Sequence, residues 1–481
     1  MQRFFSLALA ATVVSLTGSG PAFTVDEAVT VSRGMHAFDG IIETPRAPVT
    51  MAEDLDVAAL LAAARGAPPM ICSLAGQAVR NSGWTSWNDA PASPLPRVTL
   101  PRTRRHDRDE GRGTGAFLSA ADVERLLEGL GSDDACVREI SIRMIGREDD
   151  SVVAPGLVAR LKSSNTALRE LAAFGLGLVG AESAGAQLIA SLRDSESGVR
   201  ANAAWALGRI EDGRALAPLI GLFRDPVEAV RVAAVGAVGR TDSGSAAAAL
   251  IRVVKQDEAA PVRRVAAWAL GQLEVREAVD ALGSVLAQDR DADVREMAAW
   301  ALGSIENRSA SPALIKAVRS DADDDVRETA AWALAEIGDQ SASGVLGQVA
   351  ASDRSARVRG TAAWGVGELE DDEGHAPPGL IQALKDQSSD TRLKAAWALG
   401  QIGDTTALAG IRAALRTEQN QEVSRALIRA MFKSGERSEN ALNELLESKD
   451  ARVREAAVRG LAGQNSFDPW PWPWPRPRPF P

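Results

Sequence analysis

The chain has 481 residues, of which 45% are apolar and 25% are charged, so it is able to bury a substantial core. Its net charge is −10, which excludes nucleic acid as the main partner because phosphate binding needs a basic surface. Tyrosine is absent and aromatic residues make up only 4%, while the abundant alanine favours helix.

The first predicted element is a secretory signal over residues 1–22. Arg3 supplies the positive start, Phe4 to Leu16 is an apolar run, and the small residues Gly20 and Ala22 precede the predicted cleavage site. The run is shorter than the roughly 20 residues that a spanning helix needs. We therefore expect an exported protein, periplasmic or extracellular, with no membrane span after cleavage. An uncleaved membrane anchor is the alternative.

Two segments separate the signal from the rest of the chain. Residues 23–87 predict a small helical segment, and residues 88–115 predict a disordered linker because they are rich in proline, arginine and glycine. The chain has two cysteines, Cys72 in the helical segment and Cys136 beyond the linker. In an oxidising compartment they are able to form a disulfide, and two unrelated buried thiols are the alternative.

From residue 117 a unit recurs that is clearest as Val-Arg-x-x-Ala-Ala-Trp-Ala-Leu-Gly. Its eleven copies, repeats 1 to 11, are spaced 30 to 33 residues apart. They start at Val137, Leu168, Val199, Val230, Val262, Val294, Val326, Val358, Thr391, Val423 and Val453. A fixed period of this size indicates stacked units that bury their apolar faces against one another. The sequence therefore predicts an all-α fold, a right-handed α-solenoid of about eleven two-helix repeats over residues 117–464.

The repeats resemble the HEAT-like repeat family, in the short form of the phycobilin lyases. The marks are the Val-Arg pair, the Ala-Ala-x-Ala-Leu-Gly run and an Asp in the turn between the helices. The Asp lies six residues before the Arg in seven copies: Asp194/Arg200, Asp225/Arg231, Asp257/Arg263, Asp289/Arg295, Asp321/Arg327, Asp353/Arg359 and Asp386/Arg392. We expect each Asp to accept from amides where the second helix starts, and each Arg to reach the Asp of a neighbouring repeat. Such a ladder would set the register of the stack, and an ion-binding or catalytic role is the alternative.

A row of tryptophans occupies one position in six repeats. Its members are Trp205, Trp268, Trp300, Trp332, Trp364 and Trp397. At 100° per residue, the row faces away from the core of its own helix pair. The family resemblance places second helices on the concave surface, so the row is the predicted binding surface for a protein or peptide ligand. In the alternative, each indole packs over the small Ala and Gly surface of the adjacent repeat.

A second set of positions lies four residues after each tryptophan. These are Arg209, Gln272, Ser304, Glu336, Glu368 and Gln401. They predict a groove that is basic early and acidic later, able to orient a charged ligand. Ordinary variation on a solvated face is the alternative.

The last segment, residues 465–481, carries Trp-Pro repeats followed by Arg-Pro repeats and predicts a disordered, extended polyproline II tail. Docking of this segment in the groove of its own chain, or on an aromatic surface of a partner, is the alternative.

The sequence predicts no catalytic residue, no metal and no cofactor. His36, His106 and His375 lie in three separate contexts, and no zinc-protease motif, nucleophile elbow or phosphate-binding loop is present. We therefore predict a non-catalytic protein-binding scaffold or adaptor in the bacterial envelope, of unassigned oligomeric state. A phycobilin-lyase-type or other HEAT-like enzyme is one alternative. An envelope sensing or regulatory component is another, because residues 55–115 loosely resemble the outer portion of some bacterial antirepressor-type membrane metallopeptidases.

Overall fold

The structure is a computed structural model that describes residues 56–68, 118–241, 244–369, 375–436, 438, 443, 445–448 and 451–461. The predicted signal, linker and tail, and most of the predicted segment 23–87, lie outside the described residues. Across the described ranges the chain forms 22 α-helices and short 3-10 helices, without a β-strand. The predicted all-α solenoid is confirmed. No helix in these ranges is both long and apolar enough to cross a lipid bilayer.

The chain divides into two compact units, residues 1–206 and 207–481. The helices up to this division are α1 (Val57–Ala64), α2 (Ala120–Gly129), α3 (Ala135–Ile145), α4 (Asp150–Arg160), α5 (Thr166–Val179), α6 (Gly185–Ser191) and α7 (Ser197–Ile210). Helices α3, α5 and α7 are the second helices of repeats 1, 2 and 3, and carry Val-Arg in repeats 1 and 3 and Leu168-Arg169 in repeat 2.

The second unit continues the same alternation of a first and a second helix. Its helices are α8 (Leu216–Gly221), α9 (Glu228–Val238), α10 (Ala247–Gln256), α11 (Ala260–Gln272), α12 (Val279–Gln288), α13 (Ala292–Ser304), α14 (Ser311–Ser320), α15 (Asp324–Ile337), α16 (Ser343–Ser352), α17 (Ala356–Glu368), α18 (Pro378–Ala383), α19 (Ser389–Ile402), α20 (Leu408–Thr417), α21 (Gln421–Lys433) and α22 (Ala451–Leu461). Helices α9, α11, α13, α15, α17, α19, α21 and α22 are the second helices of repeats 4 to 11.

One-turn 3-10 helices precede most of the first helices. They are Glu182–Ala184, Gly213–Ala215, Gly244–Ala246, Arg276–Ala278, Arg308–Ala310, Gln340–Ala342 and Thr405–Ala407, and a further one, Leu222–Arg224, follows α8. An Asp or Asn at the preceding position accepts from the 3-10 backbone in several repeats, as Asp339 does from the Ser341 amide at 3.1 Å. This cap ends the second helix of one repeat and starts the first helix of the next.

Repeat 6 shows why each unit folds as a helix pair. Helix α12 ends at Gln288, and α13 begins after Asp291, whose carboxylate accepts from the Val294 amide at 3.1 Å. Leu282 from α12 and Leu302 from α13 are fully buried, and each such side chain contributes roughly 1.5–3 kcal/mol to folding. The two helices therefore join through their apolar faces across a short polar turn.

The second helices form the closely packed side of the stack. From repeat 5 to repeat 8, consecutive second helices are in much closer contact with each other than consecutive first helices are. Alanine and glycine on the second helices permit this approach: Ala298, Ala299 and Ala301 of α13 have no exposed surface. The second helices therefore line the inner side of these repeats.

Helix α1 packs on α2 and α3 in the first unit. Val57 is fully buried, and the Gly66 amide donates to Asp134 Oδ2 at 2.7 Å. Cys136 of α3 carries a disulfide bond, while Cys72 lies outside the described residues. The predicted pairing of Cys72 with Cys136 therefore stays a prediction.

Candidate functional site

The Asp and Arg marks form ion pairs between consecutive repeats. In repeat 7, Arg327 Nε donates to Asp353 Oδ2 at 2.8 Å and Nη2 donates to Oδ1 at 2.9 Å. Nη1 of Arg327 donates at 2.9 Å to the backbone carbonyl of Asp321, which belongs to the same repeat as the arginine. Each guanidinium thus joins the turn of one repeat to the carboxylate of the next, in the bidentate geometry that favours arginine over lysine.

The same bidentate pair recurs along both units, with Nε to carboxylate distances of 2.5 to 2.9 Å. The pairs are Arg169–Asp194 in the first unit and, in the second, Arg231–Asp257, Arg263–Asp289, Arg295–Asp321, Arg327–Asp353, Arg359–Asp386 and Arg392–Glu418. Arg200 donates to the carbonyl of Asp194 at 2.9 Å. Glu418 was not predicted from the sequence; it supplies the carboxylate where repeat 10 has no aspartate.

The aspartates of the ladder lie before the residue that caps the second helix, whereas the sequence predicted that they accept from amides at the start of that helix. Asp321 directly follows the last residue of α14, and its carboxylate accepts from the Asp323 amide at 2.9 Å. Asp323 is the residue that caps α15, accepting from the amides of Asp325 and Val326. The ladder carboxylate therefore holds the turn, and a different residue caps the second helix. Asp225 occupies the corresponding position in repeat 4 and accepts from the Val227 amide at 2.9 Å.

The ladder predicts a loss of stability in acid. Burial acts to raise the pKa of Asp289 and of Asp321, but hydrogen bonds from Arg263 and Arg295 and from backbone amides outweigh it, and the pKa of each is lowered from its usual 3.8. A carboxylate with a lowered pKa in the folded state stabilises the fold above pH 3.8, and this contribution is lost as pH falls through the folded pKa. We expect the urea midpoint, followed by circular dichroism, to drop steeply below about pH 4. A midpoint that stays constant down to pH 2.5 would contradict this role.

The tryptophan row lies against glycines of the preceding repeats. A Cβ atom built on Gly303 of repeat 6 would lie 2.9 Å from Trp332 Cζ3 and 3.0 Å from Ala333 Cα, closer than real Cβ contacts. The same approach occurs in the pairs Gly177–Trp205, Gly239–Trp268, Gly271–Trp300 and Gly367–Trp397. In repeat 2, Phe174 takes the position of the row, and its ring centroid is 4.9 Å from that of Trp205. Each of these indoles thus helps to join two repeats.

Burial divides the row into two groups. Trp268, Trp332 and Trp364 are buried, whereas Trp205, Trp300 and Trp397 keep part of their surface exposed. The row therefore contributes mainly to packing between repeats, with separate exposed patches at the second group. That the row binds a ligand stays a prediction.

Polar and charged groups that are exposed or partly exposed lie beside the row, at the C-terminal ends of the second helices. In the second unit we call this set the helix-end column, and it comprises Arg209, Arg240, Gln272, Ser304, Glu336, Glu368, Gln401 and Lys433. The guanidinium carbon of Arg240 lies 5.9 Å from the centroid of the Trp268 ring, within the range of a cation–π contact. The column therefore borders the tryptophan row along the inner side.

Acidic residues lie in the column in repeats 7 and 8 and directly after it in repeat 6. Partial burial raises the pKa of Glu336, and the negative charges of Glu368 and Glu306 raise it further. Burial also raises the pKa of Glu368. Glu306 follows Ser304 with a positive φ of 52°. These three residues are the acidic cluster, whose carboxylates repel one another and are stabilised by any added positive charge.

A buried hydrogen-bond donor lies beside the acidic cluster. Trp332 is 7% exposed, and its indole nitrogen makes no hydrogen bond of normal geometry. The indole lies close enough to Glu336, one turn later on α15, that its N–H acts to lower the pKa of that carboxyl. The N–H is therefore directed toward the acidic cluster.

Repeat 10 places positive charge on the same side. Arg425, Arg429 and Lys433 follow one another at intervals of four residues and share one face of α21. Burial lowers the pKa of Arg429, and the charge of Arg425 lowers it further. This basic stripe was not predicted from the sequence, although its four-residue spacing is present there and Arg429 occupies the tryptophan position of its repeat. The inner side is thus acidic in repeats 6 to 8 and basic in repeat 10.

Within the ranges that the structure describes, no three His, Cys, Asp or Glu side chains come together in a group suited to a metal ion.

Comparison with known proteins supports the repeat assignment. A family model for HEAT repeats matches residues 154–239, 185–271, 221–303, 247–335, 279–367 and 343–432. No curated protein matches the sequence. Among solved structures, importin beta is 15% identical with a TM-score of 0.52, over 71% of this chain and 57% of importin beta. This likeness concerns the fold alone, and the chain spans somewhat over half of the importin beta chain.

Two further solved structures are similar at lower scores. Kap95p, in its structure with RanGDP, is 14% identical with a TM-score of 0.49, over 71% of this chain and 55% of Kap95p. A chain of the CpcE and CpcF complex of phycocyanin lyase from Nostoc sp. PCC7120 is 24% identical with a TM-score of 0.31, over 45% of this chain and 88% of that chain.

Proposed function

Because this chain belongs to the HEAT-repeat family, as its sequence predicted, we propose that it is a non-catalytic protein-binding scaffold that holds an extended, basic peptide on its helix-end column. The observation that carries the proposal is the acidic cluster of Glu306, Glu336 and Glu368 beside the directed N–H of Trp332. The enzyme and envelope-sensor alternatives stay predictions.

The position of the acidic cluster favours a cationic ligand. Glu336 and Glu368 lie in the last turn of their helices, where the helix dipole places partial negative charge. The helix dipole and the mutual repulsion of the carboxylates both favour binding of a lysine or arginine side chain of a ligand, because its positive charge offsets the negative charge. Charge-assisted hydrogen bonds to such a side chain would replace repulsion by attraction.

The spacing of the column favours an extended ligand. Consecutive packed helices lie about 8–10 Å apart, and three residues of a polyproline II segment span about 9 Å. One turn of such a segment therefore matches one repeat. A side chain at every third residue meets the column once per repeat, and the partly exposed ring of Trp300 offers apolar contact next to Ser304.

The proposal is tested with a fluorescent peptide that carries arginine at every third residue among prolines. Replacing the two acids, Glu336→Gln/Glu368→Gln, is expected to weaken binding by about 10-fold, since two partly exposed charge contacts contribute roughly 0.5–1 kcal/mol each. Fluorescence anisotropy at low salt measures the affinity. The matched control, Glu258→Gln/Glu277→Gln, changes the net charge equally at exposed positions outside the column and is expected to bind as the wild type does.

Two results would contradict the proposal. One is the absence of binding of the arginine peptide to both the wild-type chain and its Arg476→Glu/Arg478→Glu variant. The other is an equal loss of affinity in both double variants, which would show a general effect of net charge.

We further propose that the scaffold works outside the cytoplasm, in the bacterial envelope or beyond it. The support is the signal predicted over residues 1–22 and the oxidising environment that the disulfide of Cys136 implies. N-terminal sequencing of protein recovered from the periplasm or medium is expected to begin at Phe23. Recovery of the chain only from the cytoplasm, with Met1 present, would contradict export.

A further inference from the structure

We propose that residues 465–481 of this chain are the built-in occupant of the helix-end column, so that a partner gains access only by displacing them. This inference rests on the proposed function, because it assigns a ligand to the same surface. The segment lies outside the described residues, and the case for it comes from its sequence, from the place where α22 ends and from the charges on the column.

The order of charges in the segment is opposite to the order on the inner side. Asp468 comes first, then Trp470, Trp472 and Trp474, and then Arg476 and Arg478. Moving back from repeat 11, the inner side is basic in repeat 10, carries the partly exposed Trp397 in repeat 9 and is acidic in repeats 8 to 6. If the segment runs back along the repeats, its Asp468 therefore meets the basic residues of repeat 10. Its two arginines then meet the acidic residues of repeats 8 to 6.

The starting point of the segment lies on the correct edge. Helix α22, the second helix of repeat 11, ends at Leu461, and the helix-end column consists of the same C-terminal ends in earlier repeats. The chain therefore leaves repeat 11 beside the column and needs no passage around the helices to reach it.

The length of the segment fits the separation. Polyproline II advances about 3.1 Å per residue, so Arg476 and Arg478 lie up to about 47 and 53 Å from Leu461. Repeats 8 to 6 lie three to five helix spacings before repeat 11, or about 30 to 50 Å at 10 Å each. The arginines therefore reach the acidic cluster, while Asp468, up to about 22 Å from Leu461, reaches the basic stripe of Arg425, Arg429 and Lys433.

The backbone chemistry of the segment suits the Trp332 donor. Proline has no N–H, and in a polyproline II segment the carbonyl groups have no internal partner. A carbonyl of the Arg-Pro part is therefore free to accept from the indole N–H that is directed toward the acidic cluster. Because the segment is tethered, its effective concentration is on the order of millimolar, so a weak contact suffices to keep the column occupied.

The test uses the full chain and a fluorescent peptide with the sequence of residues 465–481. In one variant, Arg476→Glu/Arg478→Glu, the tethered segment is repelled by the acidic cluster and leaves the column open. We expect the peptide to bind this variant at least 10-fold more tightly than it binds the wild type. Adding Glu336→Gln/Glu368→Gln to the variant is expected to remove most of that binding. Glu336 and Glu368 are exposed, and an unchanged urea midpoint verifies that each variant folds.

Each other outcome overturns the inference in a distinguishable way. Equal, measurable affinities for the wild type and the Arg476→Glu/Arg478→Glu variant would show a column that binds peptides but is not occupied by residues 465–481, which leaves the proposed function intact. If the peptide of residues 465–481 binds neither the wild type nor this variant, while the arginine-rich probe peptide binds the wild type, the inference is likewise wrong and the proposed function stays intact. If that probe also fails on every variant, the proposed function fails as well. A wild-type dimer in sedimentation that the arginine replacements dissociate would place the segment on a second copy and overturn docking within one chain.

Discussion

Replacing Trp332 by alanine is expected to lower the free energy of unfolding by about 3–5 kcal/mol, the cost of deleting a large buried side chain and leaving a cavity. The indole is 7% exposed and lies against Gly303 of the preceding repeat, so its loss removes contact between two repeats. In a stack of this kind stability resides largely in the contacts between neighbours. Urea unfolding followed by circular dichroism measures the effect.

The control for this variant is Lys316→Ala on the exposed side of α14. Its effect is expected to stay within about 0.5 kcal/mol, as for surface substitutions in general. A loss below about 1 kcal/mol for Trp332→Ala would show that the row contributes little to packing.

Replacing Arg327 by methionine is expected to lower the free energy of unfolding by about 3–5 kcal/mol, because it leaves the Asp353 carboxylate buried without its cation. Arg327 is 3% exposed and spans from the turn of repeat 7 to the carboxylate of repeat 8. The loss thus combines a broken ion pair with an unsatisfied backbone carbonyl. The same urea measurement applies.

Arg354→Met supplies the matched comparison, since Arg354 belongs to the same stretch of the stack and also pairs with an acid, Asp324, at 3.1 Å. Its side chain is 66% exposed, so the expected loss is at most about 1 kcal/mol. Equal losses for the two arginine variants would show that burial of the ladder is not what makes it stabilising.

Much of the fold follows from local sequence. The period near 32 residues and the alternation of short apolar helices predict a stack, and the structure has that stack, with the Val-Arg motif or a variant of it on the second helix of each repeat. Local sequence does not predict which Asp of the turn binds the arginine of the neighbouring repeat and which caps the helix. In repeat 7, Asp321, Asp323, Asp324 and Asp325 are all able to cap a helix, and only the fold shows that Asp323 does so while Asp321 binds Arg295.

The surface chemistry depends on contacts between repeats, which local sequence does not show. The angular position of Trp332 predicts that it faces away from the core of its own helix pair, but the glycine that receives it belongs to another repeat. The acidic cluster likewise draws Glu306, Glu336 and Glu368 from three repeats separated by about thirty residues each. Its raised pKa values come from burial and mutual repulsion, and both depend on how the repeats stack.

The most direct test of the binding surface is amide hydrogen exchange on the full Arg476→Glu/Arg478→Glu variant, with and without saturating arginine-rich peptide. The helix-end column predicts slower exchange on binding at residues 304–308 and 336–340, which frame Glu306 and Glu336, and little change on first helices α14 and α16. Protection confined to α14 and α16, or unchanged exchange at saturation, would contradict the assignment of the column as the binding surface.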